Sequence, residues 1–304
     1  MRSLKSEAAL ISLLERKFRA SGKNIGIGDD CAAFEKDQRT YFLVTLDGVR
    51  EGIHFFRGDP AGSVMEKLFV RNISDVLVKG GEARFGFIYA SVRKRNLPGY
   101  MKMMEKYAGK FGIEILGGDT NISGTDDLSM TLIGTVEKKF FYSRHGARPG
   151  DLLYLSGPTG FAACGLNAFK MKDEDFPSLL KRYLNYRLPS PGFLRKFRNN
   201  PSITSSIDIS DGLLMDAGRL ASSSGIRLSL TRSMIPVDND IRKFCNSKGI
   251  DPFGPVLNGG DDYSFLFTSR AEVPFGIMIG KAENGTGVRL NGKKVSGGYD
   301  HFKR

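Results

Sequence analysis

Three cysteines in 304 residues are too few for a disulfide framework, and positions 31, 164 and 245 are too scattered for a zinc site. A reducing cytoplasm is therefore the expected home, and Cys31 reads as a small packing residue rather than a nucleophile. No run of about 18 apolar residues occurs, so no transmembrane helix is expected. The first twenty residues carry Arg2, Lys5, Glu7, Glu15, Arg16, Lys17 and Arg19. That is an amphipathic helix pattern without the uncharged stretch of a secretion signal. A Gly-x-Ser-x-Gly elbow is missing, which removes support for serine-hydrolase chemistry. Gly26-Ile27-Gly28 lacks the Lys-Ser/Thr pair that a Walker loop needs. The three histidines, His54, His145 and His301, stand alone, without partners at zinc spacing. No internal repeat of about 20–50 residues is visible.

The formal charge is +12 and the pI is near 9.6. Zinc-finger spacing, basic heptads and paired stacking aromatics are all absent, so specific nucleic-acid binding is not expected. The excess of positive charge suits anionic small substrates instead. The basic residues are spread out except between Lys170 and Arg198. That segment also holds Asp173, Glu174 and Asp175, and reads as a charged, solvated helix and turn.

What the chain does have is acid beside glycine. The clusters are Gly26-Ile-Gly-Asp-Asp30, Thr45-Leu-Asp47, Asn72-Ile-Ser-Asp75, Gly117-Gly-Asp-Thr120, Asp208-Ile-Ser-Asp-Gly212 and Gly259-Gly-Asp-Asp-Tyr263. One Gly-Asp pair is an ordinary turn, and Asp29, Asp59, Asp151 and Asp216 read as turn or cap residues. Six clusters, most beside a short apolar run, imply carboxylates brought to one place by the ends of several elements. Magnesium favours hard oxygen ligands and bridges carboxylates to substrate phosphates. Glycines let backbone N–H groups approach a polyphosphate. The composition, 40% hydrophobic and 26% charged, is that of an ordinary globular protein, and the length predicts two domains.

Periodicity predicts a helix capped by Ser6 and running to about Phe18, a strand over 41–45 delivering Asp47 at its end, and a helix from Ala61 to about Lys79 stopped by Gly80-Gly81. Strands are expected over 84–92, 113–116 (ending on Gly117) and 128–136, with a helix over 98–111 between the first two. The second half reads as a strand at 152–156, a helix at 160–169 and a strand at 206–210. A helix beginning at Asp211 follows, then strands at 265–268 and 275–279. This order favours an α+β fold, with a domain boundary between 138 and 150.

Taken together, these clusters and three more stretches, Glu51-Gly-Ile-His-Phe55, Ser143 to Asp151 and Gly298-Tyr-Asp-His-Phe302, resemble the thiamine-monophosphate kinase family. It belongs to the superfamily of aminoimidazole ribonucleotide synthetase and selenophosphate synthetase. The resemblance runs from about residue 6 to 302. It implies transfer of the ATP γ-phosphoryl group to thiamine monophosphate, with several magnesium ions. It also implies an amino-terminal, ferredoxin-like mixed-sheet domain (1–140) that forms a homodimer and a carboxyl-terminal α/β domain (141–304). By motif position, Asp30, Thr45, Leu46, Asp47, Asp75, Asp119, Asp208 and Asp211 would hold metal. Gly118, Asp119, Arg144 and Ser210 would contact ATP, and His54, Asp261 and Tyr299 the thiamine substrate. Of these, Asp30, Asp47, Asp75, Asp119 and Asp211 carry the catalytic assignment. Two positions depart from the family pattern: Asp261 stands where Glu is usual, and Leu46 where Thr is common. No cysteine precedes residue 26 and none lies at the carboxyl end, which disfavours a selenophosphate synthetase or the hydrogenase-maturation relative.

Overall fold

The computed structural model describes residues 6–18 and 20–299; His301 and Phe302, like Arg2, Lys5 and Arg19, lie outside the described residues. Helix α1 (Glu7–Lys17) starts where expected, with Ser6 Oγ accepting from the Ala9 N–H at 3.2 Å. Strands β1 (Ala32–Glu35) and β2 (Thr40–Arg50) lead into α2 (Ala61–Val78). Then come β3 (Glu82–Val92), α3 (Leu97–Phe111), β4 (Glu114–Ile122) and β5 (Asp127–Glu137). These strands form a mixed sheet in the order β1-β2-β5-β3-β4, with only β3 and β4 parallel neighbours. Leu43, Leu68, Phe69 and Met130 are fully buried between the sheet and its helices. Each such side chain contributes roughly 1.5–3 kcal/mol.

The second half runs β6 (Leu152–Leu155), α4 (Phe161–Met171), α5 (Pro177–Leu184), α6 (Pro191–Phe197), β7 (Ile203–Asp208), α7 (Leu213–Ser224) and β8 (Arg227–Leu230). It ends with α8 (Asn239–Ser247), α9 (Phe253–Asn258), β9 (Phe265–Ser269), β10 (Ile277–Glu283), β11 (Gly287–Leu290) and β12 (Lys293–Val295). Its sheet has the order β12-β11-β8-β10-β6-β9-β7. Val78 at the end of α2 packs with Tyr142, Phe193, Phe197, Phe265 and Phe267. Helix α2 is thus buried against both sheets, which is why its polar residues matter most.

Four expectations need correction. Strand β2 does not stop at Asp47; pairing with β5 continues to Arg50, and Asp47 sits opposite Met130 inside the strand. Strand β4 does not stop at Gly117 either. A bulge between Gly86 and Phe87 skips Leu116, and parallel pairing resumes at Phe87 with Gly117. Gly118 then needs to be glycine, because at φ +158° a Cβ would overlap the Ile88 carbonyl. Helix α7 begins at Leu213, two residues after Asp211. The Lys170–Arg198 segment is not merely solvated: Leu179 and Tyr183 on α5, and Phe193 and Phe197 on α6, are buried at i, i+4 spacing.

Candidate active site

Lys67, Arg71, Asp75 and Lys79 recur every four residues, so they share one face of α2 and its last turn. Each meets a sequence-predicted acid or its neighbour. Lys67 Nζ lies 2.6 Å from Asp261 Oδ2 and 2.8 Å from the His54 carbonyl. Arg71 grips Asp47 with a fork, at 3.0 and 3.1 Å. Asp75 Oδ2 accepts from Thr45 Oγ1 at 2.6 Å. Lys79 Nζ stands 2.7 Å from Asp29 and 2.6 Å from Asp30. The intervening residues of the Asn-Ile-Ser-Asp stretch fix the rest. Asn72 bonds the Asp47 backbone in both directions, at 3.1 and 3.3 Å, and Ser74 Oγ donates to Asp208 Oδ2 at 2.7 Å.

The result is one cavity of about 720 Å³. Every sequence-predicted site residue lines it except Gly118 and Asp119. Those two lie exposed on edge strand β4, where Asp119 accepts only the Thr120 N–H and the Asn121 amide among the bonds identified. Carboxylate oxygens of Asp30, Asp75 and Asp208 fall within 4.8 Å of one another.

Electrostatics separate these three acids. Burial pushes Asp75 well above the usual carboxylate range, and the nearby Asp208, Asp47 and Asp30 add repulsion. Asp208 is pushed up to about 8, by burial and then by Asp30, with the Ser74 bond opposing. Burial works the same way on Asp30, yet Arg144 and Lys79 outweigh it and hold its pKa below the ordinary value. Arg144 Nη2 contacts Asp30 Oδ1 directly.

At the other end, Asp261 sits at φ +64° and Tyr263 at φ +51°, a left-handed backbone rare for a bulky residue. Burial opposes ionisation of Asp261, but Lys67 and Arg71 keep its pKa low. The Tyr263 hydroxyl donates to the same carboxylate at 2.9 Å. Aromatic rings close this end: Lys67 lies 5.2 Å from the Tyr186 ring centre, and Phe169 stands between Phe56 and Tyr183 at 6.1 and 4.8 Å. His54 Nδ1 accepts from the Arg50 N–H at 3.0 Å, and the Tyr299 N–H bonds the Asp211 carbonyl at 2.9 Å.

The aspartates assigned to turns divide. Asp59 does close a turn, accepting the Phe56 N–H, but it also binds the Tyr183 hydroxyl. Asp151 likewise accepts the Arg148 N–H and the Thr204 hydroxyl. Asp29 is not a surface turn residue, because its side chain is fully buried against Lys79. Asp216 is buried too, and its Oδ2 takes the N–H groups of both Ser210 and Asp211. Those N–H groups are therefore not offered to an anion. Arg219 pairs with Asp211 at 2.5 Å and with Asp216 at 2.7 Å. Sequence reasoning missed Lys67, Arg71 and Lys79. Their four-residue register with Asp75 was the available signal. Tyr183 and Tyr186 gave none, lying in a charge-rich stretch.

The architecture and the acid-lined cavity define a class first. The family described as AIR synthase related protein, N-terminal domain, matches residues 28–136. Over nearly the whole chain the similarity is narrower. Thiamine-monophosphate kinase of Aquifex aeolicus (strain VF5) is 32% identical over 97% of this chain and 98% of its own length. The same enzyme of Escherichia coli (strain K12) is 28% identical over 97% and 98%. The solved structure "AaThiL complexed with AMPPCP and TMP" has a TM-score of 0.89 at 30% identity, covering 99% of each chain. The chain belongs to the thiamine-monophosphate kinase family, and its two-sheet, mixed α/β architecture is consistent with that fold.

Proposed function

We propose that this cavity holds ATP and thiamine monophosphate together and transfers the γ-phosphoryl group directly, in line, giving thiamine diphosphate and ADP. The observation that carries the reading is the close approach of Asp30, Asp75 and Asp208 in a cavity whose other end is lined by Lys67 and aromatic rings. Similarity to a structure complexed with AMPPCP and TMP supports the same pair of ligands here. The acceptor is a phosphate, already ionised, so the reaction needs alignment and charge neutralisation more than a general base.

The donor set suits magnesium: hard carboxylate oxygens, closely spaced, of which Asp75 and Asp208 have their pKa raised by burial first and by neighbouring carboxylates second. Asp30, Asp75 and Asp208 would hold it, with Asp47, Asp211, Thr45 Oγ1 and the Leu46 carbonyl as further ligands, and with Asp119, which lies outside this chain's cavity, reaching it from a second copy. Bound there, the ions would neutralise the phosphate charges. Arg144 adds a fixed positive charge, and with Ser210, Gly118 and Asp119 it is assigned to ATP. His54, Asp261 and Tyr299 are assigned to the thiamine substrate, Asp261 being set in place by Lys67 and Tyr263.

We also propose two domains, 1–140 and 141–304, supported by a first sheet that ends at Glu137 and a second that begins at Leu152. A ferredoxin-like description of the first is supported by its split β-α-β unit: β2 and β3 are both antiparallel to β5, which lies between them. Dimerisation through this domain is supported by Phe87, Tyr89, Leu116 and Ile122, which are exposed on β3 and β4. A cytoplasmic home agrees with three unpaired, buried cysteines. Among the described residues no helix is long and apolar enough to cross a membrane.

The direct experiment mixes purified protein with ATP, magnesium and thiamine monophosphate. Thiamine diphosphate and ADP should appear in equal amounts. Absence of both products from folded protein that binds magnesium-ATP would sink the assignment.

A further inference from the structure

The Lys79 ammonium is enclosed by oxygen. Its side chain is fully buried, and Nζ lies 2.7 Å from Asp29 Oδ1, 2.6 Å from Asp30 Oδ2, 2.6 Å from the Ser206 carbonyl and 3.2 Å from the Tyr142 carbonyl. Two carboxylates and two carbonyls form a ligand set typical of a hard cation. Here a tethered ammonium occupies its centre. The four oxygens come from the first acidic cluster, the connection after the first sheet, and β7 of the second sheet. A buried lysine without such partners tends to lose its charge. In this cage two carboxylates lie within 2.7 Å of the buried ammonium and balance its charge.

We propose that Lys79 is a positioning residue that takes the place of a cation at the inner end of the acid cluster. It turns one oxygen of Asp30 inward while Arg144 holds the other. Asp30 is thereby fixed beside Asp75 and Asp208, and the demand for a divalent ion shifts to the side those two residues line. The inference rests on the metal reading of the site given above. It goes beyond that reading by giving the cluster a permanent, covalently attached charge.

The Lys79→Met substitution isolates the charge. Methionine keeps most of the buried stem and ends one atom short of Nζ, so the oxygen cage is left open. Manganese(II) bound per chain, counted by electron paramagnetic resonance, should rise by one ion relative to the wild type. An unchanged count overturns the proposal. A wild-type chain that binds no manganese overturns the metal reading, and this inference with it. Thermal melts in EDTA provide the second arm. Lys79→Met should melt about 10 °C lower, as expected for a buried charge deprived of its partner. Adding Asp29→Asn to it removes the uncompensated carboxylate and should restore most of that loss without metal. A double variant that melts as low as the single one would make Lys79 a packing residue and overturn the proposal, even if Lys79→Met alone failed to fold.

Discussion

Ser74 Oγ donates to Asp208 Oδ2 at 2.7 Å across a separation of 134 residues. Both residues are buried. One bond therefore ties α2, on the first sheet, to the end of β7 on the second, at the point where three carboxylates converge. Ser74→Ala should cost about 1–2 kcal/mol, because a buried charge acceptor loses its donor. Asp208, already pushed up to about 8 by burial and Asp30, would rise further. Urea unfolding at pH 8 in EDTA measures the loss. An unchanged midpoint would show that the bond contributes nothing to joining the two halves.

Asp75 makes the opposite prediction for stability. Its carboxyl pKa is raised by burial and by repulsion from Asp208, Asp47 and Asp30. A carboxylate whose folded pKa lies above its unfolded value destabilises the fold progressively as pH rises past the unfolded value. Asp75→Asn keeps an acceptor for Thr45 and removes the charge, so at pH 8 in EDTA the variant should melt higher than the wild type. It should also lose most of the stabilisation that magnesium gives the wild type. Turnover should fall by at least about 100-fold, the scale for removing a fixed electrostatic contact to a transferring phosphoryl group. A variant that melts lower in EDTA and still responds fully to magnesium would contradict the repulsive cluster.

Asp262 provides a pH test away from the proposed metal ligands. Its carboxylate accepts the N–H groups of Gly160 at 2.5 Å and Ala162 at 3.2 Å, capping α4. Burial nevertheless raises its pKa from 3.8 to about 6. The folded state therefore holds this proton more tightly than the unfolded state. The contribution is fully present below about pH 4, falls as pH rises through 6, and stays flat above. Two units correspond to about 3 kcal/mol. The stability difference between wild type and Asp262→Asn, followed by urea unfolding from pH 4 to 7, should change in favour of the variant by that order. A difference that is flat across the range would place the Asp262 pKa near its ordinary value.

Much of this site was legible in the order of its acidic clusters. Asp30, Asp75 and Asp208 come together from three segments, as the recurrence implied. The helix carrying Asp75 was legible because apolar spacing and a Gly-Gly stop both marked it. What was not legible depends on partners distant in sequence. Asp29 looks like a turn residue until Lys79, fifty residues on, is seen against it. The extension of β2 past Asp47 is set by pairing with β5, some eighty residues later, and no local pattern encodes that register. The short helices α5 and α6 were hidden because their charged faces dominate the composition of the segment, while Leu179, Tyr183, Phe193 and Phe197 make up the buried side.

Asp119 and the exposed sheet face belong to one final prediction. Strands β2 and β4 are separated by β5 and β3, three strand spacings or roughly 14 Å. Asp119 therefore does not line the cavity formed by its own chain, although its motif is assigned to ATP and metal. If the proposed homodimer covers the sheet face bearing Phe87 and Tyr89 with a second copy, that copy can supply its Asp119 to this chain's cavity. Asp119→Asn and Asp75→Asn chains should each be inactive as pure preparations. Mixed one to one and allowed to exchange, half the dimers are heterodimers with one intact site, so about a quarter of wild-type activity should return. Tyr89→Asp should shift the sedimentation coefficient to that of a monomer and abolish this recovery. If the mixture stays inactive while exchange is demonstrated by sedimentation of differently tagged chains, Asp119 does not act across the interface. If Asp119→Asn alone has near-normal turnover, Asp119 only orders the edge strand through its bonds to Thr120 and Asn121.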